Sequence, residues 1–138
     1  MSDKEKFEAF KKEQIEENEA KYGSEIREKY GEEAVDESYK KMFNMSEEQW
    51  ERFKTLETEI LVKLQQAVKA GVSPEEEIGK EITKLHKEWI LMTWEKYTPE
   101  AHKGLALMYI CDERFKEYYD SEVEGCAEFL QKAIEHWA

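Results

Sequence analysis

The chain has 138 residues, one domain's worth, and its 21 basic against 33 acidic residues leave a net charge of −12. Hydrophobic residues make up 40% and charged residues 39%, but four Trp, seven Tyr and six Phe argue against disorder. That charge repels a phosphate backbone and an anionic membrane surface, so direct nucleic-acid or membrane binding is not expected. No apolar run approaches the roughly 18 residues of a bilayer span, and the opening Met1-Ser2-Asp3-Lys4 does not read as a signal peptide. A soluble, cytoplasmic protein is expected. Cys111 and Cys126 show neither CxxC nor zinc-ligand spacing and read as free thiols.

In chain order, Ser2 and Glu5 form a possible capping box, opening a helix that should run to Gly23. A second segment begins at Ser24 and breaks at Gly31, and Glu32–Met45 resumes helical composition. Ser46 and Gln49 form an S-x-x-Q box before the clearest helix. Along it Trp50, Phe53, Leu56, Ile60, Leu64 and Ala67 recur at three- and four-residue steps as far as Gly71. Ser73-Pro74, with Glu76 at the box position, predicts a helix start, and Ile78, Ile82, Leu85 and Trp89 form its apolar face. Thr98-Pro99 repeats that signal for a helix through Tyr109. Asp112 caps a short helix with Phe115, Tyr118 and Tyr119. Ser121 and Glu124 predict the last start, with Val123, Ala127, Leu130, Ala133, Ile134 and Trp137 on one face. No strand alternation occurs anywhere. The reading is all-α, one domain over 1–138, with 46–138 as the body and the sparsely apolar 1–45 as an arm ordered conditionally on ligand.

Residues 86–119 concentrate Trp89, Trp94, Tyr97, Tyr109, Phe115, Tyr118 and Tyr119, with His86 and His102 among them. If one helix carried both, Trp94 would lie about 140° round from Trp89, so one of the pair could face a cleft rather than the core. These nine residues are the candidate ligand-binding set, with ordinary core packing as the bland alternative. Asp112 and Arg114 read as structural, the acid capping a helix and the guanidinium bridging neighbouring groups. No phosphate loop, HExxH or GxSxG occurs, and no histidine has a Glu three residues before it, so no catalytic residue, metal site or cofactor is assigned. His86 as an axial haem ligand, or a Cys–His nucleophile pair, has only residue type in its favour.

The succession Asn18-Glu19-x-Lys21-Tyr22-Gly23, Tyr30-Gly31, Glu37-Ser38, Met45-Ser46 and Trp50 resembles the TipAS family. So do His86-Lys87-x-Trp89-Ile90, Trp94, Tyr97-Thr98, His102-x-Gly104-Leu105-Ala106-x-Met108-Tyr109, Asp112-Glu113-Arg114-Phe115, Tyr118-Tyr119-Asp120, Gly125 and Ala127-x-Phe129-Leu130-x-x-Ala133-Ile134. Members are antibiotic-recognition domains, often fused to MerR-type activators. The resemblance implies a globin-like helical fold without haem and an aromatic cleft for a large hydrophobic antibiotic such as a thiopeptide. It implies sequestration or effector sensing rather than catalysis. The family's best-known mode is covalent capture on a cysteine. Here Cys111 is followed by two acids rather than the cations that activate a thiol, so reversible binding is expected. A helical module binding a peptide or protein is the alternative from the residues alone.

Overall fold

The computed structural model describes residues 2–138 and is all-helical among them, with no strand. The helices are α1 (Asp3–Tyr30), α2 (Glu32–Phe43), α3 (Glu47–Ala70), α4 (Glu77–Leu91), α5 (Pro99–Cys111), α6 (Glu113–Asp120) and α7 (Cys126–Trp137). They pack as two units. One holds the chain up to Phe53 together with Ile90–Lys96; the other holds Lys54–Trp89 and Tyr97–Ala138.

The first unit is built on an antiparallel pair, α1 and α2, reversed at Gly31, whose φ of 88° suits glycine. The expected break at Gly23 does not occur, and α1 runs unbroken for 28 residues. A Cβ on Gly23 would lie 2.6 Å from the Glu19 carboxyl carbon, so the glycine gives Glu19 a path along the helix to the Arg27 guanidinium. Arg27 also pairs with Glu32 at 3.1 Å and Asp36 at 2.8 Å, both on α2. Of α1's described side chains only Lys11 is buried, and its ammonium donates to the carbonyls of Phe43 and, at 2.8 Å, Met45. It thereby satisfies carbonyls that the end of α2 leaves open. Phe7 and Phe10 set their ring edges on Trp50 at 6.4 and 6.0 Å.

The second unit holds most of the apolar core. Leu56, Ile60, Leu64 and Ala67 of α3 are buried, as are Ile82 of α4 and Cys126, Ala127, Phe129, Leu130, Ala133 and Ile134 of α7. Gly71 (φ 70°) ends α3 in a Schellman arrangement, with Val72 N–H on the Ala67 carbonyl at 3.3 Å and Gly71 N–H on Val68 at 3.1 Å. Two starts differ from expectation. Helix α4 begins at Glu77 rather than Pro74, because the Ser73–Glu76 box closes a turn and the Pro74 carbonyl accepts from Trp137 Nε1 at 3.0 Å. Helix α7 begins at Cys126 rather than Ser121. Gly125 (φ 103°) turns the chain, and Asp120 Oδ1 accepts from Ala127 N–H at 2.9 Å.

Candidate functional site

Helices α4, α5 and α6, with Tyr97 from the segment before α5, bring together five of the nine candidate residues in one polar chain within the second unit. His86 and His102 are both fully buried, and His86 Nδ1 lies 2.8 Å from His102 Nε2. The Tyr97 hydroxyl stands 2.9 Å from His102 Nδ1, and the Tyr109 hydroxyl 3.1 Å from His86 Nε2. Tyr119, buried, packs its ring on Tyr109 with centroids 4.9 Å apart. Every ring nitrogen of the pair thus has a partner, which is what allows histidines to sit in a core. Burial disfavours their charged forms: it lowers His86 to about 3, with His102 adding to the effect, and His102 to about 4, with Lys87 adding to it. The pair is neutral at physiological pH. Burial likewise pushes Tyr119 well above its ordinary value.

Of the other four candidates, three pack against this chain and one belongs to the first unit. Trp89 packs on His86 at 5.5 Å, and Phe115 on Tyr109 at 5.5 Å. Trp94 shares no helix with Trp89, since α4 ends at Leu91, so the angular argument between them does not apply. Trp94 belongs to the first unit, where it packs on Tyr30 at 6.1 Å and its carbonyl accepts from Lys41 Nζ at 2.9 Å. Asp112 caps α6, accepting from Arg114 N–H at 2.9 Å, and pairs with the Arg114 guanidinium at 2.8 Å. The Arg114 hydrogen bond, ahead of opposing burial, holds the Asp112 carboxyl below its usual range. Cys111 is exposed; Cys126 is buried at the start of α7, and burial raises its thiol.

Open volume lies along α3. A trough of about 460 Å³ is lined by Lys54, Thr55, Thr58, Glu59, Val62, Lys63 and Gln66. A smaller recess of about 150 Å³ adjoins it through Thr58 and Val62 and adds Glu57, Leu61, Gln65 and Tyr118. Of the nine aromatic and histidine candidates, Tyr118 alone reaches this lining. The trough residues are hard to single out in the sequence because α3's outer face reads as a solvated surface. Leu61 and Val62 are the available signal, an apolar pair on a polar face, with Val62 44% exposed. Glu57 stands beside Lys54 (3.4 Å) and Trp89, and burial raises its carboxyl.

The model of the TipAS antibiotic-recognition domain matches residues 22–137. The chain belongs to that family. It is similar to the HTH-type transcriptional activator Mta of Bacillus subtilis, with 27% identity over 134 residues, covering 97% of this chain and 51% of that protein. It is likewise similar to the HTH-type transcriptional activators TipA of Streptomyces coelicolor and Streptomyces lividans. Each is 27% identical over 114 residues, 82% of this chain and 45% of the relative. The chain therefore spans about half the length of the curated relatives it matches. No solved structure matches it significantly. Among the described residues no helix is long and apolar enough to cross a membrane.

Proposed function

We propose that the chain binds a hydrophobic antibiotic reversibly along the α3 trough, with Tyr118 at its edge, acting by sequestration or as the effector-sensing part of a transcription regulator. The observation that carries this reading is the family match over residues 22–137. The trough supports it as the place of contact: about 460 Å³ of open volume lies along α3 beside the exposed apolar side chain of Val62. A thiopeptide-sized macrocycle would lay one face or one arm there and remain partly outside. Of the aromatic set, Tyr118 meets the ligand. The activity is binding, with no bond made or broken.

The test is a thiopeptide titration followed by tryptophan fluorescence and calorimetry, with Val62→Glu as the trough variant. Saturable binding that weakens at least tenfold in Val62→Glu is expected, since a carboxylate desolvated against the ligand opposes binding. Leu91→Glu, an exposed apolar position of the first unit, should bind as the parent does. No binding by the parent would end the antibiotic reading for this ligand class. Equal binding by parent and Val62→Glu would move the site off α3. Intact mass after ligand removal should be unchanged, as neither cysteine is needed.

A further inference from the structure

The buried chain Tyr97–His102–His86–Tyr109 has a property that follows from counting protons. A neutral imidazole carries one N–H and one lone pair. The two rings are nearly parallel (7°), with centroids 5.0 Å apart, and they meet through the 2.8 Å nitrogen–nitrogen contact. One histidine must donate there and the other accept. If His102 Nε2 holds the proton, His86 Nδ1 accepts, so the His86 proton sits on Nε2 and points to the Tyr109 oxygen. His102 Nδ1 then accepts from the Tyr97 hydroxyl. If instead His86 Nδ1 donates, His102 Nε2 accepts, the His102 proton sits on Nδ1 facing Tyr97, and His86 Nε2 accepts from Tyr109. Both arrangements satisfy every ring nitrogen. A mixed arrangement puts two N–H groups, or two lone pairs, face to face in a buried site, which is costly.

We propose that these four side chains form a tautomeric relay: the two histidines always hold their protons on the same-named nitrogen, and both switch together when the charge at either end of the chain changes. At the Tyr97 end the Lys87 ammonium lies 4.5 Å from the ring centroid and acts on His102. At the other end Tyr119, whose ring packs on Tyr109 at 4.9 Å, feels the Glu57 carboxyl of the α3 recess. A cation behind Tyr97 and an anion beyond Tyr119 both favour protons that point from Tyr97 towards Tyr119. The free protein therefore holds both histidines as Nε2–H. A ligand that neutralises or displaces Glu57 in the recess biases both towards Nδ1–H and reverses the hydrogen bond at Tyr97. The switch itself is independent of the antibiotic reading; only the identity of the recess occupant rests on it.

The experiment is two-bond ¹H–¹⁵N correlation of the histidine rings in the free 138-residue chain, which reports the protonated nitrogen of each ring without any ligand. In the parent both rings should be Nε2–H; mixed tautomers would overturn the relay. Tyr109→Phe leaves His86 Nε2 without a partner in either arrangement, but a buried N–H with no acceptor costs more than a lone pair with no donor, so both rings should change to Nδ1–H, including His102, which Tyr109 does not touch. His102 unmoved would overturn the proposal. Lys87→Met, on the exposed side of α4, keeps a readout should Tyr109→Phe fail to fold. It should raise the Nδ1–H fraction of both rings equally, and a change confined to His102 would count against the relay. Glu57→Gln stands in for a filled recess and should move both rings the same way; no change would sever the link to the trough while leaving the antibiotic titration to be judged on its own.

Discussion

The two packing units use one secondary structure and two kinds of stabilisation. In the first, α1 buries no continuous apolar stripe, so ion pairs and caps hold it beside the ring contacts of Phe7 and Phe10 on Trp50. Its anchors are the Arg27 cluster of three carboxylates, the Asn18–Tyr39 hydrogen bond at 3.0 Å and the Lys11 ammonium on two carbonyls. Among the described residues its buried apolar side chains are few: Val35, Met45, Trp50, Phe53 and Ile90. The second unit carries the long apolar faces of α3 and α7 and can enclose two histidines without charging them. The difference shows where each unit is vulnerable: screened surface charge in one, buried protonation and volume in the other.

The largest expected effect separates the units by pH. Folded His86 and His102 bind protons only near pH 3 and 4, whereas unfolded histidine does so near 6.5. The stability they confer is present above pH 6.5 and is lost as pH falls from there towards 4. By pH 5 each should cost about 2 kcal/mol, roughly 4 kcal/mol together. Urea unfolding followed at Trp89 and Trp137 should show it. Glu19 of the first unit has a lowered pKa, mainly through its Arg27 hydrogen bond, so its contribution is lost only below the ordinary 4.5. Equal stability at pH 5 and pH 7.5 would mean that the histidines are not held neutral.

A smaller effect should come from Gly79→Ala. The added Cβ would fall 1.9 Å from the Pro74 carbonyl oxygen, the same oxygen that accepts from Trp137. Overpacking of this kind costs about 2 kcal/mol, and here the Trp137 fluorescence should change with it. Gly23→Ala offers the contrast. Its new Cβ meets the Glu19 side chain first, and that side chain can swing aside, so the ion pair should weaken while the helix stays intact. A larger loss of stability from Gly23→Ala than from Gly79→Ala would reverse the contrast between the units.

The smallest global effect, and the most local, is expected at Arg27→Met. Removing the guanidinium leaves Glu19, Glu32 and Asp36 without the cation they converge on, and amide exchange over α1 and α2 should quicken. Residues 54–67 should keep their protection. In the parent, exchange over residues 2–45 should already exceed that over 54–67, and a bound thiopeptide should slow it. Protection of α1 and α2 equal to that of α3 in the free chain would sink the idea of a conditionally ordered arm.

What the residues alone determine is whatever depends on local periodicity and capping. The α3 face from Trp50 to Ala67 is buried as its three- and four-residue spacing requires. The Ser46–Gln49 box closes in both directions at 2.9 and 3.1 Å, and Thr98 caps α5 by accepting from Ala101 N–H at 3.0 Å. The all-helical class is legible for the same reason, whereas the family is legible only through the resemblance of its ordered motifs. What sequence does not decide are matters of long-range partnership. Whether Gly23 stops a helix or clears the way for an ion pair depends on Arg27 finding two further carboxylates on α2. Whether Ser73 or Ser121 starts a helix depends on where Trp137 and Ala127 send their N–H groups. The clustered aromatics are visible as a composition. Only the fold seals the histidine pair behind them and leaves the open volume on α3, because burial and proton placement are set by neighbours distant in sequence, which spacing along one helix does not encode.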